Sequence, residues 1–432
     1  MVTRMMKAAT SPSARTDPLS DIRLTVHRAT REIGGNCIEL GTSDGHRIIL
    51  DVGRPLDAPK DARQLLPKSL DLNAPVDAVL ITHPHQDHYG LLEDVPAGWP
   101  IYSGAATERL IRLSSAIFGK ELPHGFNPWK SGVALEIGPF AVTPFLIDHS
   151  AFDAYMLLID VHCKRILYSG DFRMHGRKSS LTRRLMAAPP ENLDVLLMEG
   201  TNLGSDKSCV TEDELEDAFV DLFRSTAGRV FVAWSAQNVD RTVTLYRACL
   251  KVGRTLVVDL YTAEVMEALA ESGKLPRPGR SNLSIVITSA FARMYRRTGR
   301  GAFVDRMVPF GIPAAKLAET PEKWVAMVRP SLIRDYAQKG VVPNADDAWC
   351  WSMWYGYLNN EDGILVRKWF EEGGSRPAHK HTSGHASPTV LRSFAHAMNA
   401  RQFVPIHGVA WDGDTTGFPS IRRLVDGEPL LV

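Results

Sequence analysis

The feature that most constrains this chain is a group of four potential metal ligands directly after a predicted strand. The strand VDAVLITH is rich in β-branched residues, and the segment HPHQDH then supplies His83, His85, Asp87 and His88. His83 and His85 alternate along an extended backbone, so both imidazoles can face one metal ion, whereas Asp87 and His88 in the following turn can face a second. A histidine-rich surface loop without metal is the alternative. The spacing favours a mixed nitrogen and oxygen site of the kind Zn²⁺ accepts.

Three more polar side chains end predicted strands further along the chain. They are His149 in IDHS, Asp171 in SGDF and His407 in PIHG. Taken singly, each is more often a satisfied polar residue than a ligand. Taken with HPHQDH, they complete a ligand set large enough for two ions that leaves room for water. The sequence therefore predicts a two-metal hydrolytic site along one edge of a sheet.

The order of predicted elements indicates two structural units. Short strands such as RLTVHRA, CIEL and HRIILDVG dominate the first half, up to LDVLLMEGT. Helices and strands then alternate, starting at TEDELEDAFVDLF, where Thr211 and Glu214 have capping-box spacing. We therefore expect an α/β fold in which a metal-binding sandwich is interrupted by a parallel-sheet domain. Residues 21–204 and 371–432 are assigned to the sandwich, 205–370 to the insert and 1–20 to a disordered tail.

Composition excludes several classes of protein. No apolar run approaches the length that crosses a bilayer, and five scattered cysteines without a CxxC pair suit a reducing cytoplasm. Lys and Arg total 50 against 49 Asp and Glu, so a nucleic-acid contact needs a local basic channel. Arg177 and Lys178, with Arg183 and Arg184, follow Asp171 and are the favoured candidates for steering phosphate.

These motifs resemble the metallo-β-lactamase superfamily. Asp51, which closes IILDVG, matches that superfamily's first motif, a carboxylate that orients the ligands. The later segments resemble the β-CASP branch of nucleases, with Glu199 in LLMEGTN, His385 in TSGHAS and His407 in VPIHG. Within that branch, SGHA and PIHG are most similar to the ribonuclease J family. The resemblance covers about Arg23 to His407 and implies an αββα sandwich with an inserted β-CASP α/β domain.

The resemblance also implies a role for each ligand. One ion would take His83, His85 and His149, the other Asp87, His88 and His407, and Asp171 would bridge them. Zn²⁺ is the expected metal and Mn²⁺ the alternative, and such a pair supplies an activated water. Asp87, Glu199 and His385 would be the catalytic residues.

Two of these catalytic roles and one binding site rest on analogy. His385 would donate a hydrogen bond to the scissile phosphate or protonate the leaving oxygen, and Glu199 would hold a ligand or His385 in its tautomer. Strand-end polarity and a histidine in a Gly/Ser turn are the respective alternatives. A pocket for a terminal 5′-monophosphate would be formed by Ser235, Thr382, Ser383 and His385. Helix N-capping is the alternative for Ser235.

The chain departs from ribonuclease J in two places. Only 24 residues follow Gly408, and Val409 stands where the family has an acidic residue. A shorter relative of ribonuclease J is therefore the expectation, with a homodimer as its assembly.

The expected function is a metal-dependent phosphodiesterase that cleaves RNA as a 5′-to-3′ exonuclease, an endonuclease or both. The nucleic acid is expected to be RNA rather than DNA, with no membrane partner. The alternatives are a DNA exonuclease of repair type and a small-molecule ester or thioester hydrolase. The long insert favours a polymer as substrate, because a second domain can form a long cleft.

Overall fold

The computed structural model describes residues 22–205, 209–413 and 415–432. The predicted tail, residues 1–20, lies outside them. The strands are β1 Ile22–Arg28, β2 Cys37–Thr42, β3 Arg47–Val52, β4 Ala78–Ile81, β5 Ile101–Gly104, β6 Phe126–Trp129, β7 Leu135–Ile137, β8 Phe140–Ile147, β9 Ala154–Val161, β10 Lys164–Tyr168, β11 Val195–Met198, β12 Val230–Ala233, β13 Thr255–Asp259, β14 Leu283–Val286, β15 Gly311–Ile312, β16 Trp324–Met327, β17 Ala348–Trp351, β18 Arg376–His379, β19 Gln402–Pro405 and β20 Pro429–Leu431.

Twelve α-helices accompany these strands within the described residues. They are α1 Gln86–Tyr89, α2 Ala105–Ile117, α3 Ser179–Ala187, α4 Glu212–Arg224, α5 Val239–Val252, α6 Leu260–Ala268, α7 Ser289–Arg297, α8 Gly301–Met307, α9 Lys316–Glu319, α10 Pro330–Gln338, α11 Glu361–Glu372 and α12 Pro388–Met398. Short 3₁₀ turns lie at Leu92–Asp94, Val308–Phe310, Pro321–Lys323 and Tyr355–Asn359. No helix in the described part of the chain is long and apolar enough to cross a membrane.

Two sheets pack face to face around the first core. Their strand orders are β20-β1-β2-β3-β4-β5-β6 and β19-β11-β10-β9-β8-β7. Alternate apolar residues, among them Leu50 and Leu80 in the first sheet and Leu157 and Leu197 in the second, meet between the sheets. Helix α2 covers the outer face of the first sheet, and α3 and α12 cover that of the second. This is the expected αββα sandwich.

A third sheet forms the inserted α/β unit. Its seven strands run in the order β15-β14-β13-β16-β12-β17-β18, and all its strand pairs are parallel. Helices cover both faces, as a parallel sheet requires: Phe219 and Leu245 pack on one face and Tyr336 and Phe370 on the other. The predicted capping box forms, because the Thr211 side chain accepts from the Glu214 amide.

The third sheet reaches beyond residue 370, where we expected the insert to end. Its edge strand β18 spans Arg376–His379 and pairs with β17. The sequence RPAH contains no large apolar residue, and three of its four side chains are exposed, so it lacks the apolar pattern of a predicted strand. Strand β18 therefore leads directly into the segment that carries His385.

Candidate metal centre

The predicted metal ligands converge at one edge of the sandwich, because each follows the carboxyl end of a strand. The parallel strands β10, β11 and β19 end side by side in the second sheet. The polar residues after them are Asp171, Glu199 and His407. Strand β4 of the facing sheet ends just before His83, and β8 ends just before His149.

Three histidines form the first candidate ligand group. One ring nitrogen from each of His83, His85 and His149 lies within 4.8 Å of the others. The Nε2 of His149 is 3.2 Å from the Nδ1 of His85, and the buried Nε2 of His83 has no hydrogen-bond partner among the described residues. Burial, followed by neighbouring imidazoles, holds the pKa of His83 and of His149 well below 6.5. The three neutral rings thus bring their nitrogens together, an arrangement that a cation would stabilise.

Asp87, His88, Asp171 and His407 form the second candidate group. Their ligand atoms also lie within 4.8 Å of one another. His88 Nε2 lies 3.1 Å from Asp171 Oδ2, and that same oxygen is 3.7 Å from His83 Nε2 in the first group. Burial would raise the pKa of Asp171, but nearby imidazoles outweigh it and hold the pKa well below its usual range. Asp171 is thus an ionised carboxylate between the two groups, and the donor set fits a pair of divalent metal ions.

Asp51 orients the second group from behind. Its fully buried carboxylate accepts from Thr82 N–H at 2.8 Å and the Tyr168 hydroxyl at 2.7 Å, and lies 2.7 Å from His88 Nδ1. These bonds hold Asp51 in the left-handed region, at φ 58°. A proton on His88 Nδ1 leaves Nε2 with a free lone pair for the centre. The sequence indicated Asp51 by resemblance but offered no signal for Thr82 or Tyr168.

His385 lies beside the centre and is held by Glu199. The Nδ1 of His385 is 3.3 and 3.2 Å from the two carboxylate oxygens of Glu199, which is fully buried. The Nε2 of His385 has no partner among the described residues. Burial lowers the pKa of His385, but the charges of Glu199 and Asp171 outweigh it and raise the pKa. Asp171, Glu199, His385 and His407 also offer ligand atoms within 4.8 Å of one another, so this geometry suits either a proton donor or a ligand.

Comparison with known proteins decides the family of the sandwich. Residues 30–202 match the metallo-β-lactamase superfamily. The chain therefore carries a metallo-β-lactamase domain. It resembles the ribonuclease J of Sinorhizobium meliloti, with 24% identity over 82% of this chain and 62% of that protein. It also resembles ribonuclease J 1 of Streptococcus pyogenes serotype M3, with 24% identity over 77% of this chain and 58% of that protein.

The chain thus spans about three-fifths of the length of these two relatives. A crystal structure of a protein of unknown function from Enterococcus faecalis V583 aligns with a TM-score of 0.75 and 17% identity. The alignment covers 95% of this chain and all of that one. This structural likeness extends the shared fold well beyond the metallo-β-lactamase domain.

The segment that carries His385 is fastened by Asn202, which we did not predict. The Asn202 amide donates to Ser383 Oγ at 3.0 Å and to the backbone carbonyls of His385 and Ala386 at 3.0 and 3.1 Å. The His385 amide also donates to Ser383 Oγ, at 3.1 Å. The Ser383 oxygen therefore accepts twice, and its own proton has no acceptor among the described residues, so it can donate to a ligand. Only the position of Asn202, in the LLMEGTN motif, hinted at this role.

Of the other two residues of the expected phosphate pocket, Thr382 differs from expectation, whereas the phosphate role of Ser235 stays a prediction. Thr382 is buried, and its hydroxyl donates to the Val210 carbonyl at 2.6 Å, so it has no proton for a phosphate. Ser235 is exposed after β12, but the N-cap of α5 is Asn238, whose side chain accepts from the Arg241 amide. The capping alternative for Ser235 is therefore wrong. A bridge between Ala151 and Asn238 brings this turn beside the His149 loop.

Arg173 joins the metallo-β-lactamase domain to the insert. Its buried guanidinium donates to Asp240 at 2.6 Å and to the Ser383 carbonyl at 3.1 Å, and lies 3.4 Å from Asp148, the neighbour of His149. One cation thus ties the insert to two loops of the site. Its partners lie far from Arg173 in the sequence, so no local pattern indicated this role.

Two of the four cations that we expected to steer phosphate are already paired, whereas Arg183 and Arg184 are exposed and their role stays a prediction. Arg177 bonds Asp213 and Glu216 at 3.1 and 3.0 Å, and half-buried Lys178 donates to the carbonyls of Ala151 and Phe152. These internal partners do not support a steering role for the two side chains.

Proposed function

We propose that this protein is a metal-dependent phosphodiesterase that cleaves RNA. The observation that carries the proposal is Asp171, whose carboxylate lies between two complete ligand groups with His385 directly beside it. The names of the two ribonuclease J relatives support RNA over DNA. The inserted α/β unit lies next to this edge of the sandwich, where Arg173 bonds Asp240 of the insert, and two adjoining domains can form a cleft for a polymeric substrate.

The roles of the residues follow from their donors. His83, His85 and His149 would hold one divalent ion, Asp87, His88 and His407 the other, and Asp171 would bridge them. When bound, the ions would supply an activated water and neutralise charge on the phosphate, with Zn²⁺ preferred over Mn²⁺ for the imidazole-rich set. In its doubly protonated form, His385 would donate from Nε2 to the phosphate or the leaving oxygen, while its Nδ1 proton would be held by Glu199.

A preference for the RNA terminus would come from the His385 segment. The Ser383 hydroxyl and the Gly384 backbone would receive a compact terminal phosphate, with the exposed Ser235 as a third donor. We therefore propose 5′-to-3′ exonuclease action on monophosphate ends, with or without endonuclease action. The cytoplasmic location and the homodimer also stay predictions.

The test is digestion by metal-reconstituted protein. RNA and DNA oligomers of one sequence, each with a 5′-monophosphate, 5′-triphosphate or 5′-hydroxyl end, are compared with small carboxyl ester and thioester substrates. Release of nucleotides from RNA, fastest from monophosphate ends and abolished by chelation, is the expected result. Faster cleavage of DNA would instead indicate a DNA exonuclease, and hydrolysis of the small esters alone would overturn the nuclease proposal.

A further inference from the structure

An exposed group of aromatic side chains follows β17. Trp354, Tyr355 and Tyr357 are 56%, 53% and 46% exposed, and they are three of the five well-exposed aromatic side chains among the described residues. The other two, Phe118 and Phe310, lie in separate parts of the chain. We call the three residues the aromatic wall. Such clustering of large rings in contact with water usually marks a binding surface.

The aromatic wall is held in a defined shape. The indole of Trp351 donates to the Trp354 carbonyl at 3.1 Å. The rings of Trp354 and Tyr357 stand at 90° with centroids 5.3 Å apart. Helix α11 approaches closely behind them, because a Cβ on Gly363 would lie 2.1 Å from the Tyr357 carbonyl. Two ring faces are therefore ordered before any ligand arrives, which lowers the entropy cost of binding.

The wall stands on the path to the His385 segment. Trp351 at the end of β17 pairs with His379 at the end of β18. The centroids of the Tyr355 and His379 rings are 5.3 Å apart. Six residues lead from His379 to His385, a span of at most about 20 Å when fully extended. The carboxyl edge of this parallel sheet thus faces the same region as the metal centre.

Contacts from the metallo-β-lactamase domain also place the wall near the centre. Lys60 lies 3.5 Å from Asp362 at the start of α11. Leu56, in the same loop as Lys60, packs against Gly34. A Cβ atom built on Gly34 would lie 2.8 Å from the side chains of both Leu56 and Asp87, so this loop lies close to the candidate ligand Asp87.

We infer that the aromatic wall stacks the bases of single-stranded nucleic acid whose phosphates enter the metal centre. The inference rests on the proposed function and deepens it by naming a base-binding subsite. Every base has a π-face, so Trp354 and Tyr357 would bind without sequence preference. The indole N–H of Trp354 and the two tyrosine hydroxyls have no partner among the described residues, so they are free to donate to sugar or phosphate oxygens. Lys380, next to His379, adds positive charge suited to a polyanion.

The test compares a strand that has bases with a strand that lacks them. Metal-loaded His385→Ala protein, expected to bind without cleaving, is titrated with a labelled oligouridylate and with an abasic oligomer of equal length. Adding Trp354→Ala should weaken oligouridylate binding about tenfold, or about 1.4 kcal/mol, and leave abasic binding unchanged. Trp354→Phe should restore most of the affinity, because it keeps a ring. Phe118→Ala removes an exposed ring elsewhere and should change nothing.

The outcomes separate this inference from the function on which it rests. Equal losses on both oligomers, or no loss, would overturn the stacking role even if the wild type degrades RNA. Light scattering that shows a dimer dissociated by Trp354→Ala would reassign the wall to contact between two copies. If the wild-type protein neither binds nor cleaves RNA or DNA, the proposed function is overturned as well.

Discussion

The carboxylate of Glu199 holds the Nδ1 of His385 at 3.2 and 3.3 Å, with both residues next to Asp171. Glu199 also accepts the backbone N–H of Thr201 at 3.0 Å, so its own orientation is determined by the fold. In this pair, the Nδ1 of His385 faces Glu199, and the Nε2 is left for a substrate.

Replacement of His385 should separate chemistry from metal binding. We expect His385→Ala to keep its metal and to lose roughly 10²–10⁴-fold in phosphodiesterase rate, the usual contribution of a proton donor. Elemental analysis and single-turnover rates on RNA are the two measurements. His396→Ala, at an exposed position on α12, is the matched control. A metal content that falls with the rate would instead make His385 a ligand, the alternative its geometry permits.

The two ligand groups should respond differently to substitution. His83→Ala removes a member of the first group only, whereas Asp171→Ala removes the carboxylate between the groups. We therefore expect about one ion per chain to be lost in the first variant and greater loss in the second. Mass spectrometry of the metals, with circular dichroism as a check on folding, provides the measurement. Full occupancy in both variants would refute the assignment of ligands.

The Ser383 hydroxyl should govern the preference for the RNA terminus. A wild-type rate ratio of at least about tenfold between monophosphate and hydroxyl ends is expected, because the donors near Ser383 are satisfied only by a phosphate. Ser383→Ala should reduce that ratio while internal cleavage stays close to wild type. Thr382→Ser serves as a control, because the Thr382 hydroxyl is committed to Val210. A uniform loss on every kind of end would assign Ser383 to the positioning of the His385 segment and would contradict its role in terminus preference.

Glu212 should make stability depend on pH in the acid range. This buried carboxylate lies 3.2 Å from Arg241 and accepts from Thr244 at 2.7 Å. Burial would raise its pKa, but Arg241 and Arg173 outweigh burial and lower the pKa from 4.5 to about 2. Because the pKa is depressed on folding, the stabilisation is fully present above pH 4.5 and is lost as pH falls toward 2. Its size is on the order of 3 kcal/mol.

Glu212→Gln should therefore lower the free energy of unfolding near neutral pH and flatten its decline below pH 4.5. Urea unfolding at a series of pH values measures both effects. The neighbouring, exposed Asp213 makes a surface pair with Arg177, so Asp213→Asn should change stability by less than about 1 kcal/mol. An unchanged slope in the Glu212→Gln protein would contradict the assignment.

Much of the site could be predicted because its signals are local. His83, His85, Asp87 and His88 lie in one segment after one strand, and short-range backbone geometry determines which way they point. The later ligands His149, Asp171 and His407 could be recognised because they too follow strands with buried apolar residues. Their convergence into two groups agrees with the sequence-based expectation, whereas their binding of metal stays a prediction.

The kinds of donors, the strands that carry them and the inserted α/β unit depend on patterns of a few residues, so they could be predicted from the amino-acid sequence. How side chains from distant segments share their hydrogen bonds depends on the folded structure. Thr382 donates to Val210, Arg173 reaches Asp240 and Ser383, and Asn202 fastens the His385 segment. Each bond joins residues far apart in the chain. Their partners are selected by sheet order and domain packing, which no local pattern records.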